Sequence, residues 1–498
     1  MADYIIGVDI GTGSTKAVAV HSSGKVMFTT QSSYPTLRPK PTYCEQVPEL
    51  IWQAFVKCIS RTVKELKYNP TAIVLSSAMH SLVLTDANAM PLMNMITWAD
   101  NRSAEIAQAL RQSSSGEMLY EQTGTPIHAM SPLCKILWLK KHEPLLFAQT
   151  HKFISIKEFI WLKLFDTFEI DYSVASATGL FDIESLQWNS NALSLCGISP
   201  HKLSKPVNTN HRRSNLSPAA ASLLTITENT PFIIGASDGC MANLGSFAIE
   251  PGVAALTIGT SSAIRIAHTS PTHSIEAMTF NYRFDENLFI SGGPSNNGGA
   301  ALKWYAENFR GILLNSDADY RELLNDLKTT SPGADGLIFL PYLQGERAPI
   351  WNSQARGVFF GITSLHQQKH FTRAVVEGIC FALYHIAFYL ERTGLAMERI
   401  HVSGGFVHAP EWIQVLTDIF GKKVCLILEA DASAIGAAYL GFKTLGIIED
   451  YSQLMPEMIT TLLPNTERHQ IYQKHFLLYR QLYQSLYAHM SSHHAAYS

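Results

Sequence analysis

Asp9-Ile10-Gly11-Thr12-Gly13-Ser14-Thr15-Lys16-Ala17-Val18 returns in outline, almost half a chain later, as Thr257-Ile258-Gly259-Thr260-Ser261-Ser262-Ala263-Ile264-Arg265-Ile266. In each copy an apolar, β-branched run breaks at a Gly-Thr turn and resumes, which is the pattern of two strands joined as a hairpin. The first copy continues the run Tyr4 to Val8, and a third strand follows the turn Ser22-Ser23-Gly24-Lys25, so an antiparallel meander is expected at the start of the chain. A repeat at this offset predicts a duplicated domain with a cleft between the copies. The boundary falls near residue 245, giving domains over 1–245 and 246–498.

Length agrees with that division, because 498 residues exceed one ordinary core and suit two domains of about 250. Between Pro48 and Leu66 apolar residues recur at helical spacing (Leu50, Ala54, Phe55, Cys58, Ile59, Leu66), Pro70 closes the helix, and Ala72 to Ser77 reads as the next strand. Helical and strand-like stretches alternate thereafter, which is an α/β pattern. Hydrophobic residues make up 46% and charged residues 16%, and the net charge of −3 gives no nucleic-acid or membrane footprint. Seven cysteines, odd in number, scattered and never spaced CxxC, argue against a disulfide framework or a zinc site and suit a reducing cytoplasm. Met1-Ala2-Asp3-Tyr4 lacks the basic start of a signal peptide, and no apolar run approaches the roughly 18 residues that span a bilayer, so a cytosolic protein is expected. Ser491 to Ser498, with two histidines, reads as a polar tail.

A hairpin tip of glycine, threonine and serine can wrap a polyphosphate, because glycine admits close backbone approach and the N–H groups and hydroxyls point at the anion. Either tip alone also reads as an ordinary tight hairpin; their recurrence favours phosphate. Neither has the pattern of a P-loop or a GxGxxG dinucleotide site. Asp9 ends the first strand directly before its loop, where a carboxylate points to Mg²⁺ held through water or, alternatively, to a turn-capping aspartate. Gly404-Gly405, after the strand Arg399 to Ser403, offer either a platform for an adenine ring or a plain strand-to-helix turn. Asp238, in Ile233-Ile234-Gly235-Ala236-Ser237-Asp238-Gly239-Cys240, ends an apolar strand among small residues. A phosphoryl transfer to an alcohol needs such a carboxylate to accept the hydroxyl proton; the alternative is a helix N-cap.

These motifs resemble the FGGY carbohydrate kinases along the full length. Met130-Ser131-Pro132-Leu133-Cys134-Lys135-Ile136-Leu137-Trp138-Leu139-Lys140-Lys141-His142 resembles the first family signature, and Gly357-Val358-Phe359-Phe360-Gly361-Ile362 with His370-Phe371-Thr372-Arg373-Ala374-Val375-Val376-Glu377 resembles the second. The resemblance implies two ribonuclease-H-like lobes of the actin-like ATPase kind, with ATP, Mg²⁺ and a small sugar or sugar acid between them, and leaves a homodimer open. It assigns Thr12, Gly13, Ser14 and Lys16 to the first phosphate loop and Gly259 and Thr260 to the second, with Gly299, Lys303, Gly404 and Gly405 on the nucleotide side. Asp9 and Asp238 fall at metal positions and Asp238 at the catalytic base. Ala409 departs from the serine or asparagine of many members and withholds the contact those side chains imply.

On the substrate side, Ser76-Ser77-Ala78-Met79-His80-Ser81 lacks the Arg-Glu pair of glycerol kinases and is similar to xylulose and gluconate kinases. Together with Ile96-Thr97-Trp98-Ala99-Asp100-Asn101-Arg102-Ser103, Asp171-Tyr172-Ser173-Val174-Ala175-Ser176-Ala177-Thr178-Gly179 and Gly235 to Gly239, it looks most like the gluconate-phosphorylating members. Met79, His80, Trp98, Arg102, Asp238 and Gly239 are the expected substrate contacts. His80 can bond sugar hydroxyls, Trp98 can cover an apolar sugar face and Arg102 can pair with a carboxylate; each also reads as an ordinary structural residue. Xylulose or another polyol is the alternative substrate, and a nucleotide-gated sugar binder without turnover is the alternative of another class.

Overall fold

A computed structural model describes residues 4–427, 431–455 and 460–497. The chain divides into two units: Met1–Ile249 with His268–Ile290 and Asp431–Pro456, and Glu250–Ala267 with Ser291–Ala430 and Glu457–Ser498. This differs from two consecutive halves, since 268–290 and 431–456 return to the first unit.

In the first unit β1 (Tyr4–Ile10), β2 (Ser14–His21) and β3 (Val26–Ser33) form the expected meander. Beyond β1 lie β4 (Ala72–Ser77) and then β5 (Phe232–Ser237), both parallel, giving the order β5-β4-β1-β2-β3. Every residue of β1 except Asp9 is buried, as befits a central strand covered on both faces. One cover is the helix Pro48–Leu66, which turns Ile51, Phe55, Cys58, Ile59 and Val63 inward and opens with proline, where a missing N–H does no harm. The other is the helix Ala432–Thr444, whose backbone touches β1: a Cβ on Gly7 would lie 1.8 Å from the Ala434 carbonyl. This contact is why a segment from late in the chain belongs to the first unit.

The second unit repeats the plan. Strands β6 (Val253–Ile258), β7 (Ser262–His268), β8 (Phe289–Ser295), β9 (Arg399–Ser403), β10 (Lys423–Leu426) and β11 (Thr461–Leu462) take the order β8-β7-β6-β9-β10-β11. Strands β6 and β7 pair antiparallel, and β6, β9 and β10 pair parallel, as their counterparts do in the first unit. The repeated Gly-Thr loops thus occupy the same turn, between first and second strand, in two copies of one sheet.

The helix Gln368–Arg392 is long and apolar enough to cross a membrane, yet 89% of its apolar window is buried inside the protein, so it is a core helix. Sequence inspection for an unbroken apolar run misses it, because Arg373 and Glu377 interrupt the run while pairing with each other at 3.0 Å. Ser491 to Tyr497, expected as a polar tail, continue the helix Thr466–Tyr497; Ser498, like Met1 to Asp3, lies outside the described residues.

His385, on the core helix, lies among the rings of Tyr389, Phe476 and Tyr479, and burial, with Arg480 adding, pushes its imidazole from 6.5 down to about 3. Between those values the unfolded chain binds a proton that the native state refuses, so stability falls as pH drops through that window. His385→Phe is expected to remove up to about 1.4 kcal/mol of acid sensitivity per pH unit there. Thermal midpoints measured against pH check this, and an acid limb identical to that of the natural protein would refute it.

Candidate active site

The turn between β1 and β2 is fixed from outside. Tyr34 Oη donates to the Gly11 carbonyl, Gln46 Nε2 to the Thr12 carbonyl, and Trp98 Nε1 to Thr12 Oγ1 at 2.7 Å. A Cβ on Gly13 would meet nothing within 4 Å, and its φ is not left-handed. Neither backbone nor neighbours demand glycine there; the open space is what a close-approaching ligand needs.

Beside this turn several charges converge. Asp9, in register with Lys16 on β2 and Ser76 on β4, accepts from Ser76 Oγ at 3.1 Å. Lys16 is ion-paired with Asp431, the residue before the helix Ala432–Thr444. Burial, and next the charge of Asp238, push the Asp9 carboxyl up to about 7, while Ser76 and Lys16 pull the other way. Asp238 opens the helix Asp238–Gly245 and accepts from the Gly239 N–H at 2.7 Å. The cap of that helix is Ser237, whose Oγ receives the Cys240 N–H, so the N-cap alternative for Asp238 is removed. A carboxylate in the first turn is favoured by the helix dipole, and partial exposure keeps it open to a ligand. Close packing makes the convergence possible: a Cβ on Gly245 would lie 2.0 Å from the Ala432 carbonyl, and one on Gly436 2.0 Å from that of Met241.

A buried carboxylate whose proton affinity a second carboxylate raises suits a cation. Among the described residues no group of three His, Cys, Asp or Glu side chains could enclose one, so water would have to complete the shell of any ion held by Asp9 and Asp238.

The expected sugar-side residues separate into two kinds. Met79 and Trp98 line one small cavity with Gly11, Thr12 and Thr97, and both are partly exposed. His80 is buried with φ +64°; its Nδ1 lies 2.7 Å from the Ala177 carbonyl, which sets that nitrogen as donor, and its Nε2 lies 3.3 Å from Tyr282 Oη. Lys135, fully buried, donates to the carbonyls of His80 and Thr97, tying the two substrate-side segments together; burial, opposed by Asp100, pushes its ammonium down to about 7. Neither Lys135 nor Tyr282 stands out as a site residue in the sequence, although Lys135 belongs to the first signature.

Arg102, expected to pair with a substrate carboxylate, pairs with carboxylates of the protein. Its guanidinium bonds Asp100 at 2.8 and 2.9 Å and Glu45 at 2.6 Å and stacks over Tyr43, and the side chain as a whole is 3% exposed. A guanidinium bonded in this way, through Asp100, braces the Cys44 and Thr97–Trp98 segments, with Nε and Nη2 committed to carboxylates of the protein itself. Gly239 supplies its N–H to Asp238.

In the second unit the Gly259 N–H donates to the Ser261 carbonyl, closing the turn between β6 and β7. The Gly299 and Ala300 N–H groups donate to the carbonyls of Gly259 and Thr260 at 2.7 and 3.2 Å, so Gly299 supports the loop through its backbone. A Cβ on Gly299 would lie 2.9 Å from the Gly259 carbonyl, which excludes a larger residue. Lys303, half-exposed, faces Glu307 at 3.6 Å. Gly404 has φ +106° and approaches the Ile258 carbonyl, while Gly405 borders open space. Ala409 precedes the helix Pro410–Phe420 without a side-chain cap, in keeping with its missing hydroxyl or amide.

A residue that no sequence motif announces organises this loop pair. Glu346, 3% exposed, accepts from Ser295 Oγ at 2.6 Å, the Asn296 N–H at 2.7 Å, Asn297 Nδ2 at 3.1 Å and the Arg347 N–H at 2.7 Å. Asn297 O in turn accepts from Ser262 Oγ of β7. Glu346 therefore clamps the turn that carries Gly298 and Gly299 to the Gly259–Thr260 loop.

Two family models match the chain: the N-terminal domain of the FGGY family of carbohydrate kinases over residues 4–245 and the C-terminal domain over 254–445. The gluconokinase of Bacillus licheniformis is 39% identical over 476 residues, 94% of this chain and 92% of that protein. The crystal structure of gluconate kinase from Lactobacillus acidophilus superposes with a TM-score of 0.93 at 33% identity, covering 99% of this chain and 100% of that one. A ligand-bound xylulose kinase from the same organism matches with the same TM-score and identity, covering 98% and 99%. Backbone likeness does not separate these two substrates; the sequence likeness to a gluconokinase does more.

Proposed function

The chain belongs to the FGGY family of carbohydrate kinases, and from that premise we propose that it transfers the γ-phosphoryl group of ATP to D-gluconate, giving ADP and 6-phosphogluconate. The observation that carries the substrate is the near full-length identity to a gluconokinase, 39% against 28% to the xylulose kinase of Bacillus subtilis.

In this reading Asp238 accepts the proton of the attacking hydroxyl. Its place at a helix start, next to Gly239, leaves it partly exposed, as a base that meets a substrate must be. Asp9 and Asp238 would hold Mg²⁺ through water, and the ion would neutralise charge developing on the phosphates. Gly11 to Ser14 of the first unit and Gly259–Thr260 of the second would take the phosphates, with Gly404 and Gly405 toward the base. Trp98, anchored to Thr12, links the wall of the sugar pocket to the phosphate loop, so a correctly seated sugar and a correctly shaped loop support each other.

A coupled ADP-release assay across gluconate, xylulose, ribulose, fuculose and glycerol tests the substrate. Gluconate is expected to have the highest kcat/KM. A clear preference for an uncharged ketose would overturn the assignment and leave the carbohydrate kinase standing.

A further inference from the structure

Asp238 is delivered by an irregular strand end. The pairing of β5 with β4 shifts register between Ile233 and Ala236, and Gly235 takes φ +68° with its Cα against the Leu75 carbonyl, where a Cβ would lie at 1.8 Å. After the bulge the ladder resumes with Ala236 opposite Ser76 and Ser237 opposite Ser77, and contacts from outside the sheet add to it. Lys157 Nζ, 1% exposed, donates to the Ala236 carbonyl at 2.8 Å and to Asp171 Oδ2 at 2.6 Å. The other oxygen of Asp171 receives the Val174 N–H at 3.0 Å and so fixes the short helix Tyr172–Ser176. From that helix Ser173 Oγ donates to Ser237 Oγ at 2.7 Å and accepts the Ser237 N–H at 3.1 Å. Ser237 Oγ is in turn the cap of the helix that Asp238 begins.

We propose that Lys157, Asp171 and Ser173 form a brace that positions Asp238 for the proton transfer, gripping both residues that precede it. The brace rests on the reading of Asp238 as the base. Its three members are positioning residues: they grip Ala236 and Ser237 and act on the reaction only through the carboxylate that follows. A buried ion pair is poor evidence for stability in itself, since desolvation offsets its attraction; a role in holding one geometry explains its presence here better.

Ser173→Ala is the mild probe, because it removes two hydrogen bonds to Ser237 without stranding a buried charge. In an otherwise natural chain it is expected to lower kcat about 10-fold through misplacement of the base, with KM and calorimetric Kd for gluconate changed less than about 3-fold. In an Asp238→Asn background the same substitution should lower kcat less than about 2-fold, because there is no base left to misplace. A merely structural role would reduce kcat by the same factor in both backgrounds, and that result overturns the brace. So does an unchanged kcat in Ser173→Ala alone. Should Asp238→Asn by itself keep near-normal kcat, the base assignment falls and the brace with it, an outcome distinct from equal factors on an impaired Asp238→Asn enzyme. Lys157→Met paired with Asp171→Asn removes both charges together and should follow the same pattern if it folds; if it does not, Ser173→Ala alone decides.

Discussion

Asp238→Asn is expected to lower kcat by about 10³–10⁴-fold while leaving KM for gluconate within a few-fold of its natural value. The amide keeps the size of the side chain and can still accept the Gly239 N–H, now made by Asp238 Oδ1 at 2.7 Å. It cannot take up a proton from the attacking hydroxyl, and it withdraws one of the two carboxylates proposed to hold a water-coordinated cation. General bases contribute about 10²–10⁴-fold, and the second duty places the loss at the upper end. Steady-state kinetics with saturating ATP, beside calorimetric binding of gluconate, separate turnover from binding. Near-normal kcat in the variant would remove Asp238 from the base role and leave another group to accept the proton.

How far such a site is legible in a sequence depends on how local its causes are. The two Gly-Thr turns are legible because each is a strand–turn–strand unit encoded within some ten residues, and their recurrence reports the repeated sheet order found in both units. Asp238 is legible for the same reason, as the end of an apolar strand. Asp431 is not: it reaches Lys16 only because Gly7, Gly245 and Gly436 let a helix from late in the chain lie against β1 and the helix Asp238–Gly245, and scattered glycines carry no pattern that announces this. Arg102 misleads in the sequence although part of its answer is adjacent. Asp100, two residues earlier, forks onto the guanidinium, but the second partner, Glu45, comes from another segment, and only the structure brings the two carboxylates onto one charge. The Lys157–Asp171 pair illustrates the same limit, since Asp171 lies within a motif that sequence inspection singles out while its partner lies outside it.

Glu346 is the extreme case, a buried carboxylate far in sequence from the loop it governs, and its removal should have the second largest effect. Burial pushes its carboxyl up, and the bonds from Ser295, Asn296, Asn297 and Arg347 oppose that shift. Glu346→Ala would take the acceptor from the Asn296 and Arg347 N–H groups, at about 1–3 kcal/mol for each that water cannot reach, and would leave Ser295 Oγ and Asn297 Nδ2 only their second acceptors, the carbonyls of Asn297 and Gly345. The turn at Ser295–Asn297 would loosen, and with it the backbone bonds from Gly299 and Ala300 that shape the Gly259–Thr260 loop. On the proposed reading that loop touches ATP, whereas His80, Trp98 and Asp238 belong to the other unit. The expected result is a rise in KM for ATP of about 10–100-fold, corresponding to about 1.4–2.8 kcal/mol, with KM for gluconate nearly unchanged. Glu346→Gln, which keeps one acceptor oxygen, should fall between the two. Thermal melts identify how much of any loss is unfolding, and kinetics are compared only on protein that is folded at the assay temperature. A folded Glu346→Ala enzyme with the natural KM for ATP would show that the second phosphate loop keeps its shape without the clamp.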